Sequence, residues 1–145
     1  MIVIDTNVLL YAVNRSSPFH ETAQRALEEV VNGGGPWAVT WPIVYEFLRV
    51  ATHPKVFPKP LAMDHALDAL VNLLHSPSAR LLTETEEHLP LLASCCKEVP
   101  RLKGNLLHDF HTAVLMREHA VKEILTFDQD FKAFPWVGVV MPGAS

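Results

Sequence analysis

The chain has 145 residues, 49% of them hydrophobic, with 16 acids against 12 bases and a formal net charge of −4. That length and apolar content suit one domain spanning residues 1–145 that buries its core without disulfide staples, and they exclude a disordered chain. The charge excludes a uniformly basic nucleic-acid binder, and no apolar run is long enough to cross a membrane.

Met1 to Ile4 is apolar, with β-branched Ile2, Val3 and Ile4, which predicts a short strand buried on both faces. It stops at Asp5-Thr6-Asn7. A buried strand ending there delivers a carboxylate to the carboxyl edge of a sheet, where open α/β folds hold their ligands. The same residues also suit a plain turn or helix cap. Val8 to Val13 predicts a turn or two of helix, broken near Ser16-Ser17-Pro18. Phe19 to Val31 predicts a second helix, with Ala23, Ala26, Leu27, Val30 and Val31 at helical spacing. Gly33-Gly34-Gly35-Pro36 ends it; this glycine run follows a helix and precedes a strand, the reverse of a nucleotide-binding loop.

Trp37 to Thr40 predicts a second strand, followed by a helix with Pro42 near its start, where a missing N–H costs nothing. Ile43, Phe47, Val50 and Ala51 form that helix's apolar stripe and leave Glu46 off it. His53 to Pro60 carries three prolines and two lysines and predicts a surface loop. Leu61 to Leu74 predicts a helix with Leu67, Leu70, Val71 and Leu74 inward, and Ala79 to Thr83 a third strand. A helix from Glu86 to Val99 holds the adjacent Cys95 and Cys96, read as core packing in a reducing cytoplasm. The next helix begins at Asn105, its expected N-cap, with Leu106, Phe110, Ala113 and Val114 on one face and Asp109 on a neighbouring one. Glu123 to Thr126 and Val137 to Val140 predict the last two strands, the first of them running into Phe127-Asp128-Gln129-Asp130-Phe131. This alternation predicts an α/β fold, a central mainly parallel sheet with helices on both faces.

In such a sheet, strand C-termini and the N-termini of the following helices share one edge. Asp5 and Asp128 follow the first and fourth strands, Glu46 lies in the helix after the second, and Asp109 lies near a helix start. Carboxylates gathered there repel one another, and a hard cation is the usual remedy. Mg²⁺ or Mn²⁺ accepts carboxylate oxygens and leaves room for phosphate oxygens, which implies metal-assisted phosphodiester hydrolysis. The lack of a Cys/His ligand cluster in the sequence argues against zinc for that chemistry. Each acid also has a plainer role: Glu46 could pair with Arg49, Asp109 could complement a helix dipole, and Asp128 and Asp130 could serve a turn.

The segments around these acids resemble the four acidic motifs of PIN domains, and more narrowly those of VapC-type toxins. They are Ile4-Asp5-Thr6-Asn7, Tyr45-Glu46-Phe47-Leu48-Arg49-Val50, Asn105-Leu106-Leu107-His108-Asp109-Phe110-His111 and Thr126-Phe127-Asp128-Gln129-Asp130-Phe131. The resemblance covers nearly the whole chain, in order and spacing, and no core acid is missing. It implies a PIN-like α/β/α sandwich and a ribonuclease, usually dimeric, held in check by a cognate antitoxin. It implies Asp5 and Asp109 as principal Mg²⁺ ligands, with Glu46 and Asp128 completing the pocket. Thr6, Asn7 and Thr126 would orient carboxylates or substrate, and either Asp128 or Asp130 could face the pocket, Asp128 being nearer the strand end. Arg15, Arg49, Lys55 and Lys59 could line an RNA path, with Trp41 or Tyr45 free for base stacking. His108 and His111 flank Asp109 at spacings that cannot all face one point.

A DNA nuclease of related fold and a non-catalytic scaffold are the competing readings. The first calls for a longer chain and a DNA-binding helical motif, the second for loss of a core acid. A TOPRIM-like site wants a glutamate where Asp5 stands, and a haloacid-type phosphatase wants an aspartate where Asn7 stands.

Overall fold

The computed structural model describes residues 1–144. Five strands form one sheet: β1 (Ile2–Ile4), β2 (Trp37–Thr40), β3 (Ala79–Leu82), β4 (Glu123–Leu125) and β5 (Gly138–Val140). Their order is β3-β2-β1-β4-β5, and every pairing is parallel. Six α-helices connect them: α1 (Thr6–Val13), α2 (His20–Asn32), α3 (Trp41–Ala51), α4 (Met63–Leu74), α5 (His88–Glu98) and α6 (Leu106–Glu118). A 3₁₀ turn, Gln129–Ala133, lies between β4 and β5.

Val3 and Ile4 on β1, and Trp37, Ala38 and Val39 on β2, are fully buried. Successive strand residues point to opposite faces, so burial of neighbours means that both faces are covered. The chain walks from β1 outward to β3, then returns past β1 to β4 on its other side. The strand order therefore reverses between β1 and β4, where α/β sheets open a crevice at their carboxyl ends. Asp5 ends one of these strands and Thr126-Phe127-Asp128 follows the other.

Four details depart from the sequence expectations. Helix α1 starts at Thr6, directly after β1, because Asp5 is extended and its carboxylate caps the Thr6 N–H. Helix α6 has no side-chain cap at Asn105, whose backbone is already helical, and it is buried almost all round from Thr112 to Met116. Helix α4 buries Ala66 and Leu70, whereas Leu67 and Val71, expected inward, are exposed. Its apolar residues span more than one face, and α3 and β3, the elements it packs against, cover only part of them. Cys95 is buried as expected, but its neighbour Cys96 is exposed.

Candidate active site

Asp5 is 6% exposed, and its carboxylate is satisfied from three directions. Oδ1 accepts the Thr6 N–H at 2.8 Å; Oδ2 accepts the Thr126 hydroxyl at 2.7 Å and Asn7 Nδ2 at 3.3 Å. The Thr126 hydroxyl in turn accepts Asn7 Nδ2 at 3.0 Å and the Asp128 N–H at 2.9 Å. A hydroxyl has one donor and two acceptor positions, so Thr126 uses all of them. Asn7 Oδ1 accepts the Phe127 N–H at 3.1 Å, which ties the end of β4 to the start of α1. Thr6 faces the other wall: its hydroxyl lies 3.4 Å from Glu46 Oε2 and 3.5 Å from the Ile43 carbonyl.

Asp109 lies in the first turn of α6. One turn later, the buried Thr112 hydroxyl meets that of Thr40 at 2.9 Å, and the Thr40 hydroxyl also accepts the Ile43 N–H at the start of α3. This brace holds α6 against the strand end from which α3 starts. Asp5, Glu46 and Asp109, with Tyr45, Arg49 and Thr112, line a cleft of about 240 Å³. Glu46, Arg49, His108 and Asp109 also line the adjoining hollow of about 530 Å³, which reaches Asp128 and Asp130. All four expected acids therefore border one continuous depression.

Asp130 borders it too. Asp109, Asp128 and Asp130 bring carboxylate oxygens within 4.8 Å of one another. Asp128 is extended and caps the 3₁₀ turn, its Oδ1 accepting the Asp130 N–H at 2.8 Å, so the chain folds back and presents both acids. The sequence left these two as alternatives, and the turn brings both to the hollow. Of the basic residues considered, Arg49 lines the cleft, 4.0 Å from Glu46 Oε1. Arg15, Lys55 and Lys59 are not among its lining residues. Tyr45 is exposed at the rim with Trp41 beside it, ring centroids 6.2 Å apart. His108 lines the cleft, whereas His111 turns away to Glu84.

The electrostatics are those of a site short of positive charge. Burial pushes the Asp5 carboxyl up to about 6; the Thr126 hydroxyl and Thr6 N–H pull against this, and Glu46 and Asp128 push further. Asp109 is pushed up to about 7 by burial, then by repulsion from Asp5, Asp128, Glu46 and Asp130. An all-oxygen donor set with room left for water and phosphate fits a hard divalent cation.

A family model described as PIN domain matches residues 2–137. The chain belongs to the PIN domain family. Among its relatives, Ribonuclease VapC48 of Mycobacterium tuberculosis is 33% identical over 138 residues, covering 95% of this chain and 94% of that protein. Ribonuclease VapC37 of Mycobacterium tuberculosis is 35% identical over 144 residues, 99% of each. The fold matches that of the solved VapBC2 of Rickettsia felis, bound to a DNA fragment from its promoter, with a TM-score of 0.68 at 16% identity, over 97% of this chain and 98% of that one. This PIN domain therefore groups with the VapC ribonucleases along essentially its full length.

Proposed function

We propose that this PIN domain is a metal-dependent endoribonuclease, the toxin of a VapBC-type toxin–antitoxin pair, which hydrolyses phosphodiester bonds in RNA. The observation that carries the reading is the convergence of Asp5, Glu46, Asp109, Asp128 and Asp130 on one cleft at the switch point of the sheet. The ribonuclease names of relatives aligned over almost the whole chain support RNA as substrate. The VapBC2 neighbour supports an antitoxin protein as partner. No helix among the described residues is long and apolar enough to cross a membrane, which accords with work on RNA in the cytoplasm.

In this reading Asp5, Asp109 and Asp128 hold Mg²⁺ or Mn²⁺, with Asp130 and Glu46 reached directly or through water. The cation, when bound, polarises a phosphate oxygen and lowers the pKa of a water in the cleft. Thr126 and Asn7 hold Oδ2 of Asp5 and the Thr6 N–H holds Oδ1, so the carboxylate needs no reorientation when the site fills. Glu46, half exposed on the cleft wall, is placed to accept a proton from the attacking water. Arg49 beside it offers a guanidinium to the substrate phosphate, and the exposed Tyr45 ring offers a stacking face to a base.

The test is cleavage of RNA by the purified chain with Mg²⁺ or Mn²⁺, against EDTA and against Asp5→Asn. Metal-dependent cutting that the variant loses supports the reading. Absence of cutting together with absence of Mg²⁺ and Mn²⁺ binding by calorimetry would leave a scaffold that binds RNA or protein without catalysis.

A further inference from the structure

We propose that Glu84, His88 and His111 form a second cation site, selective for a borderline transition metal of the zinc class, that staples the β3–α5 segment to helix α6. Each of the three brings one potential ligand atom to within 4.8 Å of the others'. Glu84 Oε1 lies 2.7 Å from His111 Nε2, and the two imidazole rings stand 5.8 Å apart, inclined at 57°. Two imidazoles and one carboxylate make the donor set that zinc takes with a fourth position left to water. The same donors suit magnesium poorly, so this cluster and the all-oxygen cleft differ in the metal they prefer.

What sets the cluster apart from an ordinary surface ion pair is its support. His88 Nδ1 lies 2.6 Å from Glu118 Oε1, and the Glu118 side chain is only 2% exposed. Glu118 Oε2 accepts both the N–H and the hydroxyl of Thr85, each at 2.6 Å. A carboxylate only accepts, so the hydrogen between Glu118 and His88 belongs to Nδ1, and the lone pair of the neutral ring lies on Nε2. A carboxylate fixing one ring nitrogen while the other ligates is the usual backing of a metal-bound histidine. Without metal, Glu84 and His111 satisfy each other; a cation takes the place of the hydrogen between them, the ring then carrying its hydrogen on Nδ1. Glu84 and His111 are 44% and 40% exposed, so the position is open to solvent ions. Leu92, Phe110 and Val114 line the hollow of about 370 Å³ that both histidines border, which gives the site one dry wall.

His111 follows Asp109 by two residues, about 200° further round the helix, so the two clusters lie on separate sides of α6. The second site is thus independent of the role assigned to the cleft, and it is tested without RNA. Calorimetry on the metal-free full chain, in excess Mg²⁺, should show saturable binding of one Zn²⁺ per chain, and Co²⁺ in its place should give the intense visible bands of a four-coordinate site. Glu84→Gln and His111→Ala, both at exposed positions, should each weaken Zn²⁺ at least ~10-fold. Glu118→Gln should weaken it by about 10- to 100-fold through His88. Asp109→Asn should leave it unchanged. Two results overturn the proposal: no saturable Zn²⁺ binding, or binding that survives His111→Ala and Glu84→Gln but is lost in Asp109→Asn. Circular dichroism on each variant separates loss of ligands from loss of fold.

Discussion

Helix α6 carries carboxylates or their partners on two sides, and the two sides shift in opposite directions. On the cleft side, Asp109 meets mainly other acids and burial, and its carboxyl rises to about 7. On the α5 side, Glu84 sits below its usual range, chiefly through the hydrogen bond to His111. Burial pushes Glu118 upward, but the Thr85 hydroxyl, His88 and the Thr85 N–H outweigh it and leave that carboxyl low. The residue type is nearly constant; the supply of donors differs. Glu118, with donors on both oxygens, needs no cation of its own, whereas Asp109, crowded by other acids, stands where a cation is wanted.

The largest effect expected from this contrast is on turnover. Asp109→Asn should reduce metal-dependent RNA cleavage on the order of 1,000-fold, because it removes a ligand while keeping the shape. The same variant should raise, not lower, the melting temperature of the metal-free chain at pH 7.5, since it deletes a buried charge that its neighbours repel. A cleavage assay and a thermal melt on one preparation check both halves; a variant that melted lower would mean that Asp109 is paired in a way the cleft does not show.

The pH dependence of stability should carry the same signature. Asp5 and Asp109 hold protons in the folded chain up to about 6 and about 7, but in the unfolded chain only up to 3.8. Between those values the folded state binds more protons, so stability falls as pH rises from about 4 to about 7 in the absence of divalent ions. The loss is on the order of 3 kcal/mol for the buried Asp5; solvent screening lessens the share of the more exposed Asp109, and the repulsion the two have in common lessens both. Glu84 and Glu118 work in the opposite sense, contributing stability above the ordinary carboxylate range that is lost on acidification. Urea melts from pH 4 to 8 should therefore slope downward without metal and flatten with saturating Mg²⁺. A slope unchanged by Mg²⁺ would place the cation away from these acids.

The sheet and its acidic edge could be read from the chain because the relevant signals are local. Ile2–Ile4, Trp37–Thr40 and Glu123–Leu125 are short, mostly apolar runs, and each is followed closely by a polar group that the parallel arrangement delivers to one edge. What could not be read depended on which surface meets which. The apolar period of α4 does not say that Leu70 packs while Leu67 and Val71 stay in solvent. The pairing of Asp128 with Asp130 at the hollow depends on a 3₁₀ turn set by one side-chain-to-backbone bond. The turn role that the sequence offered Asp128 as an alternative to a place in the site is the feature that brings both acids to it. Nothing in the spacing of Glu84, His88, His111 and Glu118 announces that α5 and α6 bring them together.

A smaller effect separates wiring from ligation. Thr126→Val keeps volume and β-branching but removes the hydroxyl that donates to Asp5 and accepts from Asn7 and Asp128. Asp5 keeps the Thr6 N–H and the longer Asn7 contact, so its carboxyl should rise further above about 6. Loss of these bonds at a fully buried position should cost about 1–3 kcal/mol, read as a lower urea midpoint with an unchanged slope. Cleavage should fall only ~10-fold near neutral pH and recover in part at higher pH, where Asp5 ionises again.

The smallest change tests the brace rather than the acids. Thr112→Val deletes one side of the 2.9 Å hydroxyl pair with Thr40 and leaves every carboxylate in place. The Thr40 hydroxyl still has the Ile43 N–H, so the cost should be about 1 kcal/mol, the net worth of one hydrogen bond. If the brace serves only stability, the metal concentration for half-maximal cleavage stays where it was. If it sets the distance between Asp109 on α6 and Glu46 on α3, that concentration should rise ~3-fold while the melting temperature changes little, because one ångström of slack matters more to a cation's ligand geometry than to a packed core. Thr112→Ser, which restores the hydroxyl without the methyl group, should recover the metal dependence and so assign the effect to the hydrogen bond.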